Sequence, residues 1–157
     1  MNLEVLARKP SDRVLFYGIG NPGRRDDALG VEVIEQLQKK SLPAWAAFDS
    51  NYQLNVEDAL LISEYEIVVF VDASQEKGVS WPYQFREVTP EDEFAFTSHS
   101  MSPGAVLNLC QKLYGRMPRT FLLAVLGYEW NLEEGLTPAA RLNLAAALNE
   151  VSKVFDA

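Results

Sequence analysis

Three carboxylates and a single imidazole stand where an α/β fold would bring them together. Asp26 and Asp27 follow the first apolar strand after a turn, and Asp72 ends the apolar run 67–71. His99, the only histidine, lies in a polar segment just before a predicted helix. Because the carboxyl ends of parallel strands share one crevice, we expect these side chains to converge. Asp27, Asp72 and His99 would then form an open, three-ligand metal site able to support hydrolysis.

Each of these residues also has a purely structural interpretation. Asp27 can favour a helix start, since carboxylates are stabilised near the positive end of the helix dipole. Asp72 can cap the turn after its strand, and a lone histidine is commonly a surface or packing residue. Three close carboxylates would repel one another unless a cation, or the neighbouring Arg24 and Arg25, neutralised them. At the level of residue types the metal site and the structural roles remain alternatives.

Other catalytic and nucleotide-binding motifs are missing from the sequence. The turn Gly18-Ile19-Gly20 lacks the third glycine of a dinucleotide-binding loop, and no Walker lysine follows it. There is no G-x-S-x-G elbow, and one histidine cannot form the His-Glu-x-x-His motif. Cys110 falls on a helical apolar stripe, so we expect a core thiol rather than a nucleophile. That stripe comprises Val106, Leu109, Cys110, Leu113 and Tyr114.

The hydrophobic periodicity predicts the element order β-α-β-α-β-β-α-β-α. Ser102-Pro103 and Thr137-Pro138 carry the N-cap and first-turn proline signals of helix starts. Such alternation predicts an α/β domain over residues 1–157, a three-layer αβα sandwich around a mostly parallel sheet of about five strands. Strand patterns cover residues 13–19, 45–48, 66–72, 83–88 and 120–127, and helix patterns begin near residues 26, 55, 103 and 138.

The net charge and the cysteine content indicate which classes of partner the protein does not bind and which cellular compartment it occupies. The chain has 157 residues and a formal net charge of −8, which disfavours nucleic acid because phosphates would be repelled. Its single cysteine cannot form an internal disulfide, and no N-terminal run has signal-peptide length. The longest apolar run, 67–71, is far too short to span a bilayer. We therefore expect a cytoplasmic protein with no nucleic-acid or membrane partner, and nothing implies an obligate oligomer.

Four motifs, in order, resemble those of the nickel-iron hydrogenase maturation endopeptidases. Gly18-Ile19-Gly20-Asn21-Pro22 with Asp26-Asp27-Ala28-Leu29-Gly30 is similar to the family's G-x-G-N opening and its acidic pair. Phe70-Val71-Asp72-Ala73 is similar to its V-D-A strand, and Ser98-His99-Ser100-Met101-Ser102-Pro103 to its S-H-x-x-S-P segment. Gly127-Tyr128-Glu129-Trp130 and Glu134-Gly135-Leu136-Thr137 resemble its closing motifs. The resemblance covers nearly the whole chain.

This resemblance implies a phosphorylase/hydrolase-like fold and a specific activity. The activity is removal of a C-terminal peptide from the hydrogenase large-subunit precursor after nickel insertion. The family's metal ligands fall on Asp27, Asp72 and His99, which would also be the catalytic residues. Nickel would arrive on the precursor and serve recognition, and the free protease would not hold it tightly. The sequence departs from the family pattern after the second strand, where many members have a glycine-rich D-G-G-T stretch. This chain has Asp49-Ser50-Asn51-Tyr52-Gln53 there, and the change affects what can be expected of substrate docking.

Two other functions fit part of the pattern. Peptidyl-tRNA hydrolases share a G-x-G-N-P-G opening and a similar fold. They carry a histidine shortly after that opening, where this chain has Asp26-Asp27, and they bind tRNA. A non-catalytic, metal-sensing chaperone of hydrogenase assembly would also combine an acidic chain with an open metal site. Two carboxylates and one imidazole suit either nickel or zinc.

Overall fold

The computed structural model describes residues 8–91 and 101–155, so the candidate ligand His99 lies outside the described residues. The elements follow the predicted order. The strands are β1 (Val14–Ile19), β2 (Ala46–Asn51), β3 (Ile67–Ser74), β4 (Tyr83–Glu87) and β5 (Arg119–Leu126). The helices are a 3-10 helix (Arg25–Ala28), α1 (Leu29–Gln38), α2 (Asp58–Ile62), α3 (Pro103–Tyr114) and α4 (Pro138–Phe155).

The described strands form one sheet in the order β2-β1-β3-β5-β4, in which β4 pairs antiparallel and the others pair in parallel. The apolar residues that begin the central strand β3 are fully buried, as expected for a strand covered on both faces. Along β1 the side chains alternate between two cores. Phe16 joins the core formed with α1 and α4, and Tyr17 joins the core formed with α2 and α3. The predicted three-layer αβα sandwich with a mostly parallel sheet is confirmed.

Two strands extend further towards the carboxyl edge of the sheet than their apolar patterns predict. The pattern ends β2 at residue 48, but the strand continues through exposed polar residues to Asn51. β3 likewise continues beyond Asp72 to Ser74. Parallel pairing is the reason, because Asn51 pairs with Ile19 and Ser74 with Leu126, and backbone hydrogen bonds recruit residues of low strand propensity. Asp72 therefore lies inside its strand rather than at its end.

The helices bury their predicted apolar faces, except at the end of α3. Cys110 is fully buried, as predicted, and burial raises the pKa of its thiol. Leu113 and Tyr114 are 60% and 42% exposed, so their assignment to the core stripe is wrong. Periodicity gives the direction of an apolar face, but not the point at which a helix extends past the surface it packs on. Within the described ranges, no helix is long and apolar enough to cross a membrane.

Candidate active site

A pocket of about 430 Å³ opens at the carboxyl ends of β1 and β3. Asp27 and Asp72 both line this pocket, so the structure brings two of the three predicted ligands together. The third, His99, falls outside the part of the chain that is described. The rest of the lining comes from the turn after β1, the segment after β2 and the start of α3. These residues are Ile19, Gly20, Tyr52, Gln53, Leu54, Met101, Ser102 and Pro103.

Asp27 reaches the pocket from the 3-10 helix that follows β1. Its Oδ2 accepts a hydrogen bond from the backbone N–H of Asn21 at 2.8 Å, which ties the carboxylate to the preceding turn. Gly20 makes this arrangement possible. Its φ is +143°, and a Cβ there would lie 1.9 Å from the carbonyl oxygen of Asp27. The glycine turn and the 3-10 helix therefore pack backbone against backbone beneath the Asp27 side chain.

Asp72 presents its carboxyl group from the central strand. Its Oδ1 accepts a hydrogen bond from the N–H of Ala73 at 2.8 Å. Burial raises the pKa of Asp72 to about 7; the Ala73 hydrogen bond opposes this shift, and the charge of Asp27 adds to it. A carboxyl group in a cleft whose pKa is displaced by burial and by a charged neighbour is a candidate functional group.

Each pocket carboxylate has one oxygen atom that accepts no hydrogen bond within the part of the chain that the structure describes. Among the described residues, no hydrogen bond reaches Oδ1 of Asp27 or Oδ2 of Asp72. Two carboxylates in one pocket suit a divalent cation, which would also relieve their mutual repulsion. Across residues 8–91 and 101–155, no group of three His, Cys, Asp or Glu side chains is arranged to hold a metal ion. Within the described residues, the pocket therefore offers two carboxylate ligands and no third side chain of these types.

Another part of the pocket wall joins the segment after β2 to the start of α3. An isolated antiparallel bridge pairs Leu54 with Met101, whose N–H donates to the Leu54 carbonyl at 3.2 Å. Ser102 then caps α3, because its Oγ accepts the N–H of Ala105 at 3.1 Å, as the Ser-Pro signal predicts. These bonds hold Met101 in the pocket wall, two positions after His99 in the sequence.

Asp26 does not join the pocket, which corrects the expectation of three close carboxylates. The side chain is completely buried, and its carboxylate accepts both the N–H and the hydroxyl of Thr137 at 2.8 Å. Adjacent residues in a 3-10 turn point in different directions, so Asp26 and Asp27 serve different surroundings. The repulsion in the pocket therefore involves two carboxylates rather than three.

The arginines before the acidic pair also bind elsewhere. Arg24 donates through Nε to the carbonyl of Trp130 at 3.3 Å. Arg25 forms ion pairs of 3.7 Å with Glu129 and with Glu133. Neither arginine lines the pocket, so among the described residues the alternative in which Arg24 and Arg25 neutralise the pocket carboxylates is not observed.

Tyr52 and Gln53 line the pocket, and both belong to the stretch 49–53 that the family resemblance linked to substrate docking. Tyr52 is 65% exposed at the pocket, and its N–H donates to Oδ1 of Asn51 at 2.7 Å. A sequence signal for this location was available, because these residues follow the second parallel strand and every such strand end borders the same crevice.

No protein-family profile and no curated protein sequence matches the chain. Solved structures do match it. NiFe hydrogenase maturation protease HycI from Thermococcus kodakarensis KOD1 has a TM-score of 0.76 and 20% identity, over 98% of this chain and 97% of its own. Hydrogenase maturating endopeptidase HybD from E. coli has a TM-score of 0.69 and 23% identity, over 90% of this chain and 91% of its own. The fold is that of the hydrogenase maturation proteases.

A third structure extends the likeness to another lineage. Hydrogenase 2 maturation peptidase from Thaumarchaeota archaeon SCGC_AB-539-E09 has a TM-score of 0.67 and 22% identity, over 90% of this chain and 97% of its own. At these identities the likeness establishes the fold, and the resemblance seen in the sequence is confirmed at that level. Within this hydrogenase maturation protease fold, Asp27 and Asp72 border a pocket at the carboxyl edge of the sheet.

Proposed function

We propose that this protein is an endopeptidase that removes the C-terminal peptide of a nickel-iron hydrogenase large-subunit precursor after nickel insertion. The observation that carries the proposal is the pairing of Asp27 with Asp72 in one pocket of a hydrogenase maturation protease fold. The G-x-G-N turn and the V-D-A strand support the same assignment, since these motifs surround the two carboxylates.

Nickel belongs to the substrate in this proposal, because it arrives bound to the precursor. Asp27, Asp72 and His99 would offer it two carboxylate oxygens and one imidazole nitrogen, donors that suit nickel. The position of His99, two residues before the pocket residue Met101, supports its inclusion. Three protein ligands leave coordination positions open, so groups of the precursor can stay on the metal while the protease recognises it.

In this proposal Asp27 and Asp72 act by positioning the nickel-bearing segment of the precursor in the pocket. Backbone N–H groups of Asn21 and Ala73 hold the carboxylates of Asp27 and Asp72, so the pair is ordered before substrate binds. An ordered pair would hold the nickel-bearing segment at the sheet edge and keep the scissile bond in register, which lowers the entropic part of the barrier. Bound nickel supplies a Lewis acid that can polarise a carbonyl or acidify a water.

The direct test incubates the protein with nickel-loaded and with nickel-free large-subunit precursor, and follows loss of the C-terminal peptide by mass spectrometry. Wild type should process the nickel-loaded form alone. Asp27→Asn and Asp72→Asn should fold and process neither form, because each removes a ligand charge. Glu76→Gln is the matched control, since this exposed carboxylate follows β3 but does not line the pocket. It should process like wild type.

Several results would contradict the proposal. Cleavage that does not depend on nickel would remove the role given to the metal. Full processing by Asp27→Asn or by Asp72→Asn would remove that residue from the site. Stable binding of the nickel-loaded precursor without cleavage would show a metal-sensing assembly chaperone instead of a protease.

A further inference from the structure

The carboxylate of Asp26 binds the segment 127–137, called the closing segment below. Its Oδ2 accepts the N–H of Tyr128 at 2.8 Å, the N–H of Glu129 at 3.1 Å and the hydroxyl of Thr137 at 2.8 Å. Its Oδ1 accepts the N–H of Thr137 at 2.8 Å. The side chain is completely buried. Four donors compensate the buried charge, and they come from the closing segment rather than from the 3-10 helix that carries Asp26.

Backbone contacts reinforce the same connection. The N–H of Arg25 donates to the carbonyl of Glu133 at 2.7 Å, and the N–H of Asp26 donates to the carbonyl of Glu129 at 3.0 Å. Gly127 allows the close approach, because a Cβ there would lie 2.8 Å from the Cβ of Asp26. The closing segment, which carries two of the motifs found in the sequence, thus holds the turn that leads into α1.

The turn that leads into α1 has a strained backbone at Arg25, two residues before the pocket residue Asp27. Arg25 has a φ of +46°, a left-handed conformation that residues other than glycine rarely adopt. Such a conformation persists where surrounding contacts hold it. Asp27 is two residues further on, lines the pocket and accepts the N–H of Asn21. Release of the strain would therefore move the residue that faces the substrate.

We infer that Asp26 is a positioning residue, whose bonds to Tyr128, Glu129 and Thr137 hold the turn in the conformation that presents Asp27 to the pocket. The inference rests on the proposed function, in which Asp27 contacts the nickel-bearing substrate. The two adjacent aspartates then have separate tasks. One binds the interior of its own chain, and the other binds the substrate. An Asp26 that only supported the domain as a whole would have no selective effect at Asp27.

Three variants and one control separate these roles. Asp26→Asn replaces one acceptor oxygen with a donor. Thr137→Val removes the hydroxyl at nearly constant shape, which breaks its bond to Asp26 and also its N-cap bond with the Ala140 N–H at 3.2 Å, and Thr137→Ser restores both. Thr120→Val is the matched control, because this buried threonine at the start of β5 donates its hydroxyl to the carbonyl of Pro118 at 2.9 Å and does not line the pocket.

Two measurements are made on each protein, well below its melting temperature. Hydrogen exchange of the Asn21 amide, followed by NMR, reports whether Asp27 still accepts that bond. Processing of the nickel-loaded precursor reports function. Asp26→Asn and Thr137→Val should speed Asn21 exchange at least about tenfold and slow processing about 10- to 100-fold, as expected for a misplaced group. Thr137→Ser and Thr120→Val should match wild type in both.

The two measurements distinguish failure of the positioning role of Asp26 from failure of the proposed endopeptidase function. Wild-type exchange at Asn21 in both Asp26→Asn and Thr137→Val would overturn the positioning role, and so would an equal effect in Thr120→Val. If wild type processes no precursor, the proposed function fails, and Asn21 exchange still decides the role of Asp26. If Asp26→Asn does not fold, Thr137→Val and its rescue by Thr137→Ser decide it.

Discussion

Asp27 and Asp72 line one pocket, and the charge of Asp27 contributes to raising the pKa of Asp72. Asp27 lies in the 3-10 helix after β1, and Asp72 lies in β3, the strand that pairs with β1. Strand register and a glycine turn bring the pair together from 45 positions apart in the sequence. The pocket is therefore unfavourable for two negative charges, and either neutralisation of one of them or arrival of a cation relieves it.

Replacing Asp72 with asparagine should stabilise the protein above neutral pH. The folded-state pKa of Asp72, about 7, exceeds its ordinary value of 3.8, so folding favours the protonated carboxyl. The contribution of the protonated Asp72 carboxyl to the free energy of unfolding is fully present below the unfolded-state pKa. It decreases as the pH rises and is lost above the folded-state pKa. At higher pH wild type holds a buried, ionised carboxylate at a cost on the order of 1–4 kcal/mol, which the asparagine avoids.

Urea denaturation, measured at pH values from below the ordinary pKa of Asp72 to above its folded-state pKa of about 7, checks the prediction. The stability gap between Asp72→Asn and wild type should widen as the pH rises and level off above about pH 7. Glu76→Gln, which removes an exposed charge, should follow wild type. An Asp72→Asn protein that is less stable than wild type at high pH would show that Asp72 is a structural residue.

Replacing Gly20 with alanine should be far more costly than replacing Gly78. Both glycines have positive φ, +143° and +74°. At Gly78 nothing lies within 4 Å of an added Cβ, so the cost is conformational and about 1–2 kcal/mol. At Gly20 the added Cβ would overlap the carbonyl of Asp27, so we expect a loss above about 3 kcal/mol. Equal losses in chemical denaturation would mean that the backbone approach at Gly20 is not required.

Replacing His99 with alanine should abolish processing and leave the melting temperature nearly unchanged. The residue is the only histidine and stands in a polar stretch of the sequence, so we expect its removal to cost little apolar packing. A metal-binding imidazole must be neutral, and weak nickel binding should therefore decline below about pH 6.5 in wild type. Nickel titrations and precursor processing test both halves, with Ser100→Ala as the neighbouring control. A variant that binds nickel and processes like wild type would exclude His99 from the site.

The free protein should fold without tightly held metal. Closed structural sites normally use four protein ligands, and the described part of the pocket offers two carboxylates. Elemental analysis of gently purified protein should find nickel below stoichiometry, and a chelator should leave the melting temperature unchanged. Stoichiometric metal whose removal unfolds the protein would point to a structural site.

The protein should not hydrolyse peptidyl-tRNA. Its net charge of −8 repels the tRNA backbone, and Asp26-Asp27 stand where that class of hydrolase carries its histidine. A model peptidyl-tRNA incubated at ordinary enzyme concentrations should stay intact. Turnover would favour the esterase over the endopeptidase.

Local signals in the sequence predict the order of the elements, and the rule that the carboxyl ends of parallel strands share one crevice predicts the location of the pocket. The N-cap serines and threonines and the apolar run of β3 act over a few residues, and the structure retains them. Local signals did not predict that Asp26 binds the closing segment while Asp27 lines the pocket. This difference depends on contacts with Thr137, 111 positions further along the chain, which no local pattern encodes. The extension of β2 to Asn51 depends in the same way on pairing with β1.

The hydrogen bonds that Asp26 accepts from Tyr128 and Thr137 also have a consequence for the order in which the site forms during synthesis. They join residues 102 and 111 positions apart, and contacts that close such long loops form late. On the ribosome, both pocket carboxylates emerge well before the segment that holds Asp27. A growing chain therefore carries Asp27 and Asp72 before the closing segment is available to bind Asp26 and hold the turn. Under the proposed function and the positioning role inferred for Asp26, a nascent chain that lacks the closing segment should not cut the precursor.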